Sequence, residues 1–82
     1  MTAVRVRLFG PAREAAGTRL EVFEGTTVGE IVAAAVDRYG PQFAALLPAC
    51  RIWLNGEPVD ERCAVAADDE LAVLPPVSGG AS

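Results

Sequence analysis

Residues 3–23 read AVRVRLFGPAREAAGTRLEVF, and this stretch decides the fold. Val4, Val6 and Leu8 alternate with Arg5, Arg7 and Phe9, the period of two that a strand shows when one face is buried. Gly10-Pro11 breaks the alternation. Ala12 to Ala16 holds helix formers for one or two turns, and Gly17 stops them, as a glycine just past a helix end does. The alternation returns from Thr18 to Phe23, with Leu20 and Val22 on one face. Two strands with a long, partly helical connection make a hairpin.

Beyond a turn at Glu24-Gly25, Thr27-Val28-Gly29-Glu30 fits a capping box, in which Thr27 and Glu30 satisfy each other's backbone N–H groups. The predicted helix runs from Val28 to Tyr39, with Ile31, Val32, Ala35, Val36 and Tyr39 on one stripe. Gly40-Pro41 ends it, and Phe43 to Leu47 adds one further turn. Arg51 to Leu54 reads as a strand closed by the tight-turn dipeptide Asn55-Gly56. Glu57-Pro58-Val59 returns as an edge strand, because Pro58 has no N–H for a central ladder. After a turn at Ala67-Asp68-Asp69, Glu70 to Leu74 forms the last strand with Leu71 and Val73 inward, and Pro75-Pro76 stops it. A helix with one apolar face must bury it on a sheet. The expectation is an α+β roll, a mixed sheet on one main helix, with residues 1–75 as the domain and 76–82 as a flexible tail carrying Gly79-Gly80.

Composition narrows the function. Eighty-two residues support one core, and a hydrophobic fraction of 51% is too high for a disordered chain. The net charge is −4, and every basic residue is Arg. Scattered along the chain, these arginines form no stripe that would follow phosphates, which excludes nucleic acid as the expected partner and favours a basic protein surface. There is no His, so the commonest general base and metal ligand are missing. Cys50 and Cys63 do not form a CxxC pair and cannot close a zinc site, so no metal is expected; they read as partly buried thiols in a reducing compartment. The apolar runs fall far short of the ~20 residues of a membrane span, and no secretory leader precedes the first strand. A cytoplasmic protein without membrane contact is expected. Asp68, Asp69 and Glu70 read as a turn rather than acid–base machinery, and no Ser or Cys sits in a nucleophile motif.

The tail, PPVSGGAS over 75–82, has nothing to add to a core. It reads either as a frayed terminus or as a thread, since two glycines without side chains pass through a narrow channel. Ordering such a thread costs roughly 1–2 kcal/mol per residue, so the body of the domain must supply the affinity for any partner.

Three motifs carry a family resemblance: the opening VRVRLFGPAREAAGT with Phe9, Arg13, Glu14 and Gly17 in an F-x-x-x-R-E-x-x-G pattern, the turn Leu54-Asn55-Gly56, and the ending DDELAVLPPVSGG. Through Gly80 the chain resembles the MoaD/ThiS sulfur carriers, most closely the small subunits of molybdopterin synthase. The resemblance implies a ubiquitin-like β-grasp fold and a protein co-substrate that is not catalytic alone. It implies that an E1-like adenylyltransferase spends ATP to adenylate the Gly80 carboxylate. A sulfur donor protein then makes the thiocarboxylate, and the tail enters the large subunit of molybdopterin synthase for molybdenum cofactor synthesis. Gly79 gives the slender approach, and no cofactor is permanently bound. Phe9, Pro58, Val59 and Leu74, with Pro75 and Pro76 at the tail exit, match positions near the family's partner-binding surface. Arg13 and Glu14 match the pattern too, and a surface ion pair accounts for them. One departure stands out: Ala81 and Ser82 follow Gly80 and turn its carboxylate into an amide. A metalloprotease removes them, or they are an expression remnant, or the chain no longer carries sulfur. Carriers for thiamine, cysteine or specialised metabolites, and a ubiquitin-like binding or conjugation module, are the alternatives.

Overall fold

Strands β1 (Thr2–Leu8) and β2 (Leu20–Gly25) pair antiparallel, with Arg5 opposite Val22 and Arg7 opposite Leu20. The computed structural model describes residues 2–76; the expectations placed on Gly79, Gly80, Ala81 and Ser82 lie outside the described residues. Between the first two strands lies α1 (Gly10–Ala16), closed by Gly17 in the left-handed conformation. After β2 come α2 (Val28–Tyr39), α3 (Pro41–Leu46) and a 3-10 turn at Leu47–Ala49. Three strands complete the sheet: β3 (Arg51–Leu54), β4 (Glu57–Pro58) and β5 (Glu70–Leu74).

The strand order is β2-β1-β5-β3-β4. β5 runs parallel to β1, Val6 opposite Leu71, and antiparallel to β3, Ile52 opposite Val73. The sheet is therefore mixed, with the first and last strands side by side at its centre. One face carries the core. Val4, Val6 and Leu8 of β1, Phe23 of β2 and Leu71 and Val73 of β5 meet Ala12 of α1, Val28, Ile31 and Ala35 of α2 and Phe43 of α3. Tyr39 stands edge-on between Phe23 and Phe43, at centroid distances of 5.8 and 5.1 Å. Its hydroxyl donates to Glu21 Oε1 at 2.5 Å, while Arg38 holds the other Glu21 oxygen at 2.8 Å, pinning the end of α2 to β2. Burial first, then the Glu21 carboxylate, pushes the Tyr39 hydroxyl above its ordinary titration range.

Two readings gain detail and one needs correction. Leu20 and Val22 share a face, as expected; it is the outer one, and Phe23 and Gly25 take the core side of β2. The short helix expected over Ala12–Ala16 forms as two turns and starts two residues earlier, at Gly10, with Pro11 in its first turn where a missing N–H costs nothing. The segment after Gly40 is a six-residue helix and a 3-10 turn rather than a single turn, and Phe43 is wholly buried there. The capping box is modified as well. The Glu30 N–H donates to Thr27 Oγ1 at 3.2 Å as expected, but the Glu30 carboxylate accepts from the Thr26 N–H and hydroxyl, at 2.7 and 2.8 Å, instead of from Thr27.

Two loops lock the ends of these elements. The first two N–H groups of α2 donate to the 61–63 loop, Val28 to Cys63 C=O at 2.9 Å and Gly29 to Glu61 C=O at 2.8 Å. With Glu30 capped as well, that helix end has no donors left for an anion. At the β3–β4 turn Asn55 adopts φ +51°; its amide donates to Asp69 at 3.0 Å and its carbonyl oxygen accepts from the Glu70 N–H at 2.9 Å. Asp69 also accepts from the Ala66 N–H at 2.7 Å. Asp68 and Asp69 thus belong to the turn, as the sequence suggests, and Glu70 opens β5.

The two sheet edges differ. β4 is short and ends in Pro58. β2 is longer, and its bonding to β1 falls on odd-numbered residues, as in the Leu8 N–H to Arg19 C=O bond of 2.9 Å. The N–H and C=O of Leu20, Val22 and Glu24 therefore point to the free edge. At Leu20 both are met by the Thr18 hydroxyl, at 3.4 and 3.2 Å.

Candidate partner-docking face

The sheet face away from the helices is uncovered. Strand register sorts its residues into rows. Nearest the chain's exit from β5 lie Phe9, Leu74 and Arg51. The next row is Leu20, Arg7, Ala72, Trp53 and Pro58, and the third is Val22, Arg5 and Glu70, with Glu24 beyond. Phe9, Leu20 and Val22 expose 40, 39 and 55% of their surface, and all three lie on this side. Trp53 and Leu74 are half-buried and Pro58 is exposed. A cluster of apolar groups this size on a free sheet face marks an interaction surface.

The tail starts at the edge of this face. Gly10 sits at φ +57°, and a Cβ there would come within 3.3 Å of the Pro75 ring. A side chain at position 10 would be strained by its backbone and would push on Pro75, so glycine lets the exit pack closely on the start of α1. Pro75 and Pro76 are exposed. Of the residues expected to meet a partner, Phe9, Leu74, Pro58, Pro75 and Pro76 gather on this face or at its rim.

Val59 lies elsewhere. It packs against the helix side and lines a half-open groove of about 330 Å³ with Val28, Gly29, Val32, Ala33, Ile52 and Glu61. Arg13 and Glu14 are both exposed, and neither enters an ion pair among the described residues; neighbours on a helix point apart. Cys50 and Cys63 are free and half-buried, and burial raises the Cys50 thiol above its ordinary pKa, the opposite of what a nucleophile needs. Among the described residues no cluster of ligating side chains could hold a metal ion, and no helix is long and apolar enough to cross a membrane.

Reading the sequence missed Leu20, Val22 and Trp53 as members of the exposed face. The signal available was the alternation in β1, which put Arg5, Arg7 and Phe9 together on its solvent side.

Comparison with known proteins agrees with this geometry. The model of the ThiS family matches residues 6–80. SAMP1 from Haloferax volcanii superposes with a TM-score of 0.84 at 31% identity, over 95% of this chain and 99% of that one. The BexX/CysO complex from Amycolatopsis orientalis matches at 26% identity and a TM-score of 0.79, over 94% of this chain and 99% of that one. The complex of subunits 1 and 2 of molybdopterin-converting factor from Helicobacter pylori matches at 25% identity and a TM-score of 0.71, over 96% of this chain and all of that one. A mixed five-stranded β-grasp sheet covered by helices on one face, together with a family match over nearly the whole length, shows that the chain belongs to the ThiS/MoaD family of ubiquitin-like sulfur carriers.

Proposed function

We propose that this chain carries sulfur as a thiocarboxylate on Gly80 and delivers it in molybdopterin synthesis. The observation that carries the reading is the extent of the family match, which ends on residue 80 and leaves Ala81 and Ser82 outside it. Hydrolysis of the Gly80–Ala81 peptide bond frees the carboxylate. A carboxylate is a poor electrophile, so an adenylating enzyme activates it: a carboxylate oxygen attacks the α-phosphorus of ATP, and pyrophosphate leaves. The terminal sulfur of a donor persulfide then adds at the carbonyl carbon, AMP departs with the C–O bonding pair, and a second thiol attacks the donor-side sulfur of the acyl disulfide, so that the S–S bond breaks, the thiocarboxylate leaves and a new disulfide forms. The chain's own part is to hold no bulk near the reacting carbon and to dock through its body. In the neighbouring structures, molybdopterin-converting factor subunit 1 is bound to subunit 2 and CysO to BexX. Both pairings support a role in which the domain seats on a partner protein.

A second reading has an observation behind it: the Haloferax protein, at 31% identity, is a small archaeal modifier protein. Both readings share Gly80 activation and differ in the acceptor, sulfur or a lysine amine. Intact-mass analysis of the protein from its own host separates them. A carrier loses Ala81-Ser82 and exchanges one oxygen for sulfur at Gly80; a modifier appears joined through Gly80 to a lysine of another protein. Full-length protein that no adenylating enzyme activates even after trimming sinks both. Deleting the gene, with loss of molybdoenzyme activity as the readout, tests the pathway.

A further inference from the structure

The net charge of −4 is not spread evenly. Arg5, Arg7 and Arg51 share the outer face with Glu70, whereas Glu57, Asp60 and Glu61 follow one another along β4 and the loop after it. Glu30 and Glu61 line one hollow at the start of α2, and Arg62 is the single cation among its lining residues. Neither Glu61 nor Arg62 enters an ion pair among the described residues. The hollow shares Gly29, Ala33 and Glu61 with the aliphatic groove of about 330 Å³ between α2 and the β3–β4 edge. That groove is preformed. The Gly29 N–H donates to the Glu61 C=O at 2.8 Å, and a Cβ at position 29 would come within 3.1 Å of that oxygen. Glycine thus lets the loop seat directly on the helix, and the seated loop forms the groove wall.

Chemistry narrows what this place takes. Val32, Ile52 and Val59 are half-buried and Ala33 is exposed, so apolar surface remains to be covered. The volume sits at the low end of the roughly 300–1,000 Å³ of small-molecule sites. No polar side chain is buried among the described residues, so nothing inside the groove orients a small ligand. Carboxylates at the mouth repel nucleic acid and anionic lipid headgroups. The first backbone donors of α2 are taken by the 61–63 loop and by Thr27, so the helix end offers an anion nothing either. We infer that the groove between α2 and the β3–β4 edge docks a basic segment of a partner protein, which seats an aliphatic side chain on Val32, Ile52 and Val59 and points a flanking Lys or Arg at Glu61. The basic partner surface that the net charge favours thereby acquires a location. The groove lies on the helix side, across the sheet from the face where the tail exits, so a segment bound here leaves that face free. The inference holds whatever the tail carries.

The test is a nitrogen-15 NMR titration of the full chain with a short, end-capped peptide of alternating Lys and Leu, and with its Glu and Leu counterpart as control. The Lys peptide is expected to shift the amides of Val28–Ala33, Ile52 and Val59 and to saturate; the Glu peptide is expected to leave them in place. Glu61→Lys is expected to weaken the Lys peptide about tenfold at low ionic strength, and Arg62→Glu to tighten it about threefold or more. Glu14→Lys, on α1, changes the net charge as much as Glu61→Lys and is expected to alter affinity less than about threefold. Ala33→Gln keeps the charge and a good helix former but lays a polar chain over the groove, and is expected to weaken binding about fivefold or more. The dispersion of each spectrum shows that the variant is folded. Shifts confined to the outer face, equal shifts with the Glu peptide, or no shifts at all overturn the inference. So does a folded Glu61→Lys chain that binds like wild type, or one that loses no more than Glu14→Lys. Concentration-dependent dimerisation in sedimentation that Ala33→Gln abolishes also overturns it and assigns the groove to a second copy of the chain.

Discussion

Asn55 holds the β3–β4 turn through three cooperating features: a left-handed backbone, an amide that donates to Asp69 and a side-chain oxygen that accepts from Glu70. Alanine at that position strands the Glu70 N–H and takes on the φ strain that Asn tolerates. Asn55→Ala is expected to cost about 1–2 kcal/mol, read as a lower urea midpoint with an unchanged m-value. Tyr39→Phe isolates one hydrogen bond, because the ring and its edge-on contacts stay. Losing a bond to a carboxylate should cost about 1–3 kcal/mol, with Arg38 left to hold Glu21. Two carboxylates set the acid limit. The backbone N–H of Thr26, then its hydroxyl, hold Glu30 below its usual pKa; the Ala66 N–H, then the Asn55 amide, do the same for Asp69. A depressed folded pKa means that the unfolded chain takes up protons first. Their contribution is therefore complete above the ordinary carboxylate range and is lost as pH falls through the folded values. Thermal melts from pH 7 downward should stay level until below about pH 4.5 and then drop, and Glu30→Gln should blunt that drop.

Elements were legible where their signals are local. The period of two in β1, the stripe and cap of α2, the Asn55-Gly56 turn and the Pro58 edge each reside within a dozen residues, and each element formed where its residues predicted. What failed to show is set by distance or by shortness. The parallel pairing of β1 with β5 joins residues more than sixty positions apart, and no local pattern encodes it. The polarity of β2 was hidden because Leu20 and Val22 alternate with Glu21 and Phe23, and periodicity says which residues share a face but not which face is buried. α3 is too short for a periodic signal, although its Phe43 is among the best-buried side chains. Phe43→Ala should therefore cost about 3–5 kcal/mol, measured by chemical denaturation, and would leave a domain this small largely unfolded. At the start of α1, Gly10→Ala is expected to destabilise by about 1–2 kcal/mol through the left-handed backbone and to lower affinity for a partner by shifting Pro75, an effect separable by comparing binding with stability.

At the scale of the whole molecule, the fold sorts chemistry by face. Helices and core take one side of the sheet, and the other carries exposed apolar groups, three arginines and the start of the tail. Half of that site was readable: Phe9, Leu74 and the two prolines came from the motif, while the gathering of Arg5, Arg7 and Arg51 depends on which strands become neighbours. The same sheet has a second consequence, at its rim. A row of free N–H and C=O groups is a template on which further strands can add, and growth of that kind ends in fibrils. β4 is blunted by its length and by Pro58, and at Leu20 the Thr18 hydroxyl occupies both groups. Val22 and Glu24 have no such cap. Val22→Lys should lengthen the lag before thioflavin-positive aggregates form in concentrated, warmed solution, and Thr18→Ala should shorten it, so that a single hydroxyl acts as a gatekeeper against polymerisation.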